Sequence, residues 1–190
     1  VNEFCNGLNY TSLGNNGSVR QYFMDNSHGR FQYTNIVTAY YTAKYPREYY
    51  TDPKVTCGTR ARALIIEALQ SLMAKGFDFI KLSSDTSGYV YAIIAFYAGP
   101  CINNWNEGLW PHSWSLKQPL KLAPGRSAYD YQITNIGSEL SIGVFCHENG
   151  HMVCDFPDLY DYGYESSGAG DYCLMSSGGP SEKNPESVCA

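Results

Sequence analysis

The order of apolar and polar positions along the chain predicts strands alternating with helices. Residues 31–43 and 88–99 are rich in β-branched and aromatic side chains, a composition typical of strands. Between them, residues 59–75 place apolar side chains at helical spacing and are followed by a glycine. Residues 80–82 are predicted to add a short strand, and residues 119–131, which contain proline and glycine, are predicted to form a loop. This order indicates an α/β (α+β) fold.

A second helix is predicted over residues 137–153. Apolar side chains precede its centre, and Glu139 lies near its start, where a negative charge interacts favourably with the helix dipole. Because this segment is apolar on several sides, the helix is expected to be buried inside the domain.

The centre of this predicted helix carries residues suited to metal chemistry. His147 and His151 lie four residues apart and therefore share one helix face, so both imidazoles can bind one metal ion. Glu148 lies about 100° further round, where it can accept a proton from a metal-bound water. Burying these polar groups without partners would be costly, and a metal ion removes that cost. The alternative is a pair of hydrogen-bonded core histidines, because the H-E-x-x-H pattern also occurs by chance.

A catalytic zinc site needs a third protein ligand and one open position for water. Pro157 cannot continue a helix, so the chain is expected to leave it near Cys154 and Asp155, where aspartate tolerates a left-handed turn. This turn is expected to present Asp158 to the two histidines, with Asp161 further on as hydrogen-bond support for the loop. Asp155 itself is the first alternative ligand.

The motif and its downstream sequence resemble the immune inhibitor A family of secreted bacterial metallopeptidases, a branch of the metzincins. The similarity lies in residues 147–161 and 172–178. The family motif is H-E-x-G-H-x-x-G-x-P-D-x-Y-D, followed by a methionine turn. The residues of this chain that match its functional positions are His147, Glu148, His151, Asp158 and Met175.

The resemblance implies a role for each matching residue. The two histidines and Asp158 are expected to bind one catalytic zinc ion, Glu148 to be the general base, and Met175 to lie under the metal. One extra residue separates the second histidine from the Pro-Asp pair, and Cys154 replaces the usual glycine, so a one-residue bulge is needed. Another zinc peptidase class takes its third ligand from a second helix further along the chain. The spacing of that ligand from the second histidine leads to Asp171, but the neighbouring glycines disfavour a helix there.

Less specific similarities to this family support the fold. They lie in residues 16–23, 27–30, 33–35 and 109–114. The resemblance implies a metzincin-like domain: a mixed twisted sheet with a backing helix and an active-site helix. Residues 1–190 are expected to form one catalytic domain, a fragment of a longer secreted precursor whose C-terminal part is truncated.

Composition excludes several classes of function. The chain has 13 Lys and Arg against 18 Asp and Glu, so a nucleic-acid-binding surface is not expected. No stretch approaches the roughly 18 apolar residues that a membrane span needs. The resemblance to peptidases implies protein or peptide substrates, and no residues are assigned to a calcium ion.

The seven cysteines indicate an oxidising compartment. None forms a C-x-x-C pair, and dispersed cysteines of this kind are typical of disulfide partners in secreted proteins. A bridge from Cys154 or Cys146 to Cys173 would tie the loop after the helix to the methionine turn. Unpaired buried thiols are the alternative, and the odd number leaves at least one cysteine unpaired.

Two classes of function follow from these observations. The first is a secreted zinc endopeptidase, in which Tyr160, Tyr162 or Tyr164 is available to stabilise an oxyanion. The second is a catalytically silent secreted adhesion or binding module that keeps a structural metal, with Trp105, Trp110 and Trp114 as a carbohydrate platform. Glu148 favours the peptidase, because a structural site needs no base. His112 is expected to have a structural or surface role.

Overall fold

The computed structural model of the chain describes residues 1–136, 140–179 and 183–189. It divides into two units, Val1–Ala39 with Ser138–Ala190, and Tyr40–Gly137. Within the described residues, the helices and strands in chain order are α1 (Asn2–Asn6), α2 (Val19–Asn26), α3 (Arg47–Tyr50), α4 (Cys57–Ala74), β1 (Ile94–Ala98), β2 (His112–Ala123), β3 (Arg126–Ile136) and α5 (Ile142–Cys154). Short 3-10 helices lie at Ser12–Gly14, Phe79–Lys81 and Gly170–Tyr172.

The unit Tyr40–Gly137 contains a mixed sheet with strand order β1-β3-β2. β1 pairs with β3 in parallel, with Ile94 opposite Gln132, and β2 pairs with β3 in antiparallel orientation. The mixed α/β character predicted from the sequence is confirmed by this sheet and the helices.

Residues 119–131 form a hairpin, so the predicted loop is wrong. Ala123 pairs with Arg126 across a two-residue turn of Pro124 and Gly125, and Gly125 has a φ of 67°. Pro before a glycine with positive φ is typical of a tight turn. Pro119 lies within β2 where the register shifts between Ser115 and Leu120, so its missing N–H falls in an irregular part of the ladder.

Helix α4 confirms the predicted helix over residues 59–75 within two residues at each end. Its apolar positions Ala61, Ile65 and Leu69 are buried in the core of this unit. The N–H of Phe77 donates to the carbonyl of Leu72, and Gly76 between them has a φ of 74°. Glycine therefore ends this helix because it adopts the left-handed conformation at little cost.

Three strand predictions differ from the structure. Residues 31–43 form no strand: Phe31 and Tyr33 pack their rings against Phe23 of α2 instead. The stretch 88–99 forms a strand only over β1. Residues 80–82 mostly lie in a 3-10 helix, because the side chain of its N-cap residue Asp78 accepts the N–H of Ile80.

In the unit Val1–Ala39 with Ser138–Ala190, α5 begins at Ile142, later than predicted. The N–H of Ile142 donates to Oδ1 of Asn15 at 3.0 Å, and Nδ2 of Asn15 donates to the carbonyl of Leu140 at 2.8 Å. Asn15, which is buried and distant in sequence, thus hydrogen-bonds backbone groups at the start of the helix. Residues 137–139, including Glu139, lie outside the described residues.

Within the described part of the chain, every helix is too short or too polar to cross a bilayer.

Candidate metal centre

Helix α5 places His147 and His151 one turn apart, with their rings perpendicular and in contact. The Nε2 atoms of the two imidazoles are 3.2 Å apart. His147 is buried, and His151 is partly buried. Because both rings come from one rigid helix, their spacing is set by the backbone.

Backbone carbonyls orient both imidazoles. Nδ1 of His147 lies 2.9 Å from the carbonyl oxygen of Leu174, and Nδ1 of His151 lies 2.6 Å from that of Phe156. A carbonyl oxygen only accepts, so each Nδ1 must carry the hydrogen. In the neutral rings, Nε2 is then left with a free lone pair, as a metal ligand requires.

The chain returns to these rings through a left-handed turn at Asp155, as predicted. Asp155 has a φ of 57°, and the N–H of Phe156 then donates to the carbonyl of Gly150 at 3.2 Å. This turn brings Oδ1 of Asp158 to 3.3 Å from Nε2 of His147 and 3.1 Å from Nε2 of His151.

The structure brings together Asp158 and the two histidines, and neither alternative acid joins them. Among the described residues, these three form the one group of histidine, cysteine or acidic side chains suited to hold a metal ion. Asp155 is exposed at the turn, and Asp171 is exposed in a 3-10 helix.

The triangle of Nε2, Nε2 and Oδ1 atoms requires a positive charge. Oδ1 of Asp158 is buried and accepts no hydrogen bond when both rings are neutral. Burial lowers the pKa of each imidazole, but the hydrogen bond of its protonated form to Asp158 raises the pKa of both above the usual value. Although burial opposes ionisation of Asp158, the same pairing holds the pKa of its carboxyl far below the usual value.

The dimensions of the triangle fit zinc. A tetrahedral site with bonds of about 2.0–2.1 Å has ligand-to-ligand distances of about 3.3–3.4 Å. The three distances here are 3.1, 3.2 and 3.3 Å. Two imidazole nitrogens and one carboxylate oxygen are also a donor set that zinc accepts.

Two tyrosines hold the other oxygen of Asp158. The hydroxyls of Tyr160 and Tyr162 donate to Oδ2 at 2.9 and 2.8 Å. Oδ1 is thereby left to face the imidazoles. Tyr164, by contrast, is 90% exposed. The sequence named these three tyrosines only as stabilisers of an oxyanion, and nothing in their spacing indicated the contacts to Asp158.

Met175 lies against the helix that carries the histidines. It is fully buried, and its carbonyl accepts the N–H of Leu159 at 2.7 Å. A Cβ at Gly150 would lie 2.9 Å from Sδ of Met175, closer than packed atoms approach. The glycine between the two histidines therefore permits this close contact.

Glu148 is partly buried on α5 beside the two rings. Its negative charge contributes to the raised pKa of both His147 and His151, so its carboxylate lies within electrostatic reach of the triangle.

Asp161 organises the loop that follows Asp158, as predicted. Its carboxylate accepts the N–H groups of Gly163, Glu165 and Ser166, and also the hydroxyl of Ser166. These bonds lower the pKa of Asp161. Gly168 closes the loop with a φ of 56°, and a Cβ there would lie 2.2 Å from the carbonyl oxygen of Leu159.

The cysteines, all within the described residues, are free thiols. No bridge from Cys146 or Cys154 to Cys173 is formed: Cys146 is fully buried, and Cys173 instead accepts the N–H of Cys189 on its sulfur at 3.2 Å. Of the three tryptophans, Trp105 and Trp114 are exposed.

His112 has the structural role expected for it. Its Nδ1 donates to the carbonyl of Trp110 at 2.6 Å, which leaves Nε2 to accept the hydroxyl of Tyr131 at 2.9 Å. The neutral ring is thus fully hydrogen-bonded, and burial lowers its pKa.

This arrangement predicts a pH-dependent stability. Below the unfolded-state pKa of about 6.5, His112 binds a proton in the unfolded chain but stays neutral in the folded one. The free energy of unfolding that His112 contributes is therefore lost as the pH falls. We expect urea unfolding, with a chelator present, to show a smaller loss of stability between pH 7.5 and 5.5 in His112→Gln than in wild type. His28→Asn is the matched control, since His28 is exposed at a φ of 52°, which asparagine tolerates. An equal loss in wild type and His112→Gln would contradict the prediction.

Comparison with known proteins identifies a family match. Residues 108–187 match the family model described as immune inhibitor A peptidase M6, catalytic domain. A comparison with curated proteins gave no match. The matched residues include the histidines, Glu148, Asp158 and Met175, and the match supports a peptidase. Over residues 108–187 the chain is therefore similar to the catalytic domain of the immune inhibitor A peptidases, the family that the motif indicated.

Proposed function

We propose that this chain is a zinc-dependent endopeptidase that hydrolyses peptide bonds of proteins. The observation that carries the proposal is the triangle of two Nε2 atoms and one carboxylate oxygen, with sides of 3.1–3.3 Å. Three acceptor atoms this close repel one another unless a cation lies among them. The similarity to a peptidase catalytic domain supplies the reaction class.

His147, His151 and Asp158 would hold the ion. Bound zinc lowers the pKa of a coordinated water toward about 7 and polarises the carbonyl of the substrate. The carbonyls of Leu174 and Phe156 keep the hydrogens on Nδ1, so both Nε2 lone pairs would be available to the ion.

Glu148 is the proposed general base. It lies one residue after His147 on the same helix, beside the two rings. Its carboxylate accepts a proton from the water that attacks the scissile carbonyl and then transfers it to the leaving amine. Met175 packs against the helix at Gly150 and takes no part in the proton transfer.

The proposal extends to three features that rest on the resemblance. The fold is of the metzincin type, the chain acts outside the cell, and residues 1–190 form one catalytic domain. A silent binding module is disfavoured because the match is to a catalytic domain and because Glu148 is retained.

Metal analysis combined with casein or gelatin hydrolysis tests the proposed function. We expect purified chain to bind about one zinc ion, to lose cleavage with a strong chelator and to regain it when zinc is restored. Calcium or magnesium added after chelation should not restore cleavage, since these ions prefer all-oxygen ligand sets. Full zinc occupancy without cleavage of either substrate would favour the binding module.

The tyrosine pair is expected to strengthen metal binding. Tyr160→Phe and Tyr162→Phe each remove one hydrogen bond from Oδ2 of Asp158, so the carboxylate is less firmly oriented. We expect each variant to weaken zinc binding by about 10- to 100-fold, as measured by competition with a chromogenic chelator. Tyr164→Phe is the matched control because its ring is exposed. Equal affinity in all three variants would show that the pair does not position Asp158.

A further inference from the structure

A C-terminal segment of the unit that contains α5 is bound across α2. We call residues 183–189 the strap. Its Lys183 carbonyl accepts the N–H of Asn16 at 2.8 Å, and the N–H of Val188 donates to Oδ1 of Asn26 at 3.0 Å. The hydroxyl of Tyr22 donates to the carbonyl of Glu186.

The strap is also hydrogen-bonded to residues on both sides of Met175. The N–H of Leu174 donates to the carbonyl of Ser187 at 3.1 Å, and the N–H of Glu186 donates to the carbonyl of Gly178 at 2.9 Å. These bonds place the last residue of the strap beside Cys173.

Cys173 and Cys189 are in direct contact there. The N–H of Cys189 donates to Sγ of Cys173 at 3.2 Å. Cys173 is fully buried, whereas Cys189 is exposed and open to reagents in solution.

We propose that Cys173 and Cys189 form a disulfide that fastens the strap to the segment containing Leu174 and Met175. The pairing differs from the bridges expected from sequence, which joined Cys173 to Cys146 or Cys154. It is independent of the proposed function, because neither cysteine belongs to the triangle of ligand atoms.

The oxidant is a small-molecule disulfide such as oxidised glutathione. The exposed Cys189 thiolate attacks one sulfur of that disulfide, forms a mixed disulfide and releases one glutathione thiolate. The Cys173 thiolate then attacks the sulfur of Cys189 and releases the second. The two cysteines lose two protons and two electrons, and one oxidised glutathione becomes two reduced molecules. Since the neighbouring Cys173 thiol raises the pKa of Cys189, the exchange should be faster above neutral pH.

The cross-link would act close to the metal ligands. Leu174 follows Cys173, and its carbonyl oxygen orients His147 while its N–H binds the strap. Closing the loop of residues 174–188 restricts the unfolded chain and holds the residue that orients the imidazole.

Peptide mapping of the 190-residue chain tests the pairing. After incubation in a glutathione redox buffer at about pH 8.5, where thiolates form, the free thiols are alkylated. Trypsin cleaves after Lys183 and releases the peptide with Cys189, while chymotrypsin cleaves after Tyr172 and separates Cys173 from Cys146 and Cys154. We expect the two peptides to be linked, and before alkylation the intact mass should be about 2 Da below that of the reduced chain.

Variants and thermal unfolding complete the test. Cys189→Ser should abolish the link, and Cys154→Ser should keep it. With a chelator present, reduction should lower the melting temperature by about 6–12 °C in wild type and Cys154→Ser, and leave Cys189→Ser unchanged. Full alkylation of Cys189 in oxidised wild type, or its linkage to Cys146 or Cys154, would overturn the proposal.

Discussion

Glu148→Gln is expected to abolish protein hydrolysis while zinc remains bound. Glutamine keeps the size of the side chain but cannot accept a proton, so the attacking water loses its base. We expect kcat to fall by about 10²- to 10⁴-fold, the range typical of a lost general base. The measurements are initial rates on casein and the zinc content of the same preparation.

Glu3→Gln provides the matched control for Glu148→Gln. Glu3 is exposed in α1, so its neutralisation changes net charge by the same amount away from the triangle. Its rate should equal that of wild type. A Glu148→Gln enzyme that cleaves casein at the wild-type rate would assign the base to another residue.

Asp158→Ala is expected to remove the metal itself. The carboxylate supplies one corner of the triangle and its only negative charge, so the two imidazoles that remain form an incomplete site. The loss of zinc affinity should exceed the roughly 10- to 100-fold effect expected for loss of a residue that only orients a ligand. Hydrolysis should be lost in parallel.

Thermal unfolding separates metal loss from misfolding in Asp158→Ala. With zinc at about 1,000 times its Kd, wild type gains about 4 kcal/mol, or about 8–16 °C in melting temperature. The variant should lose this zinc-dependent gain yet still unfold cooperatively.

Two conservative variants test the alternative ligands. Asp155→Asn neutralises the first alternative, and asparagine tolerates the left-handed turn there. Asp171→Asn neutralises the second, which is exposed. Both should bind zinc like wild type. If Asp158→Ala kept its zinc while Asp155→Asn or Asp171→Asn lost it, the third ligand would be Asp155 or Asp171.

Local patterns predicted the helices well. In α4 the apolar residues repeat at the helical period, and Gly76 ends the helix as expected. The spacing of His147 and His151 likewise placed both rings on one face. Such features depend on neighbours within a turn or two, so they can be inferred without tertiary information.

Sheet structure was predicted less well, because strand pairing depends on distant residues. Pro119 and the Pro124-Gly125 pair indicated a loop. In the structure, β2 pairs with β3 on both sides of a register shift, so these residues form a hairpin. Residues 31–43 have the composition of a strand, but Phe31 and Tyr33 pack their rings against Phe23 of α2 instead.

By itself, the sequence determined the helix that presents two imidazoles and a glutamate, and the left-handed turn that reverses the chain after it. The sequence also named Asp158 as the expected third ligand, with Asp155 and Asp171 left as alternatives. Only the tertiary structure brings Asp158, and neither alternative, to the two histidines, turns its second oxygen toward two tyrosines and sets Cys189 beside Cys173. The physical reason is the sequence separation of the interacting residues. Helix periodicity and turn preference arise from adjacent residues, whereas a site closed by a returning loop depends on hydrogen bonds and packing between residues far apart in the chain.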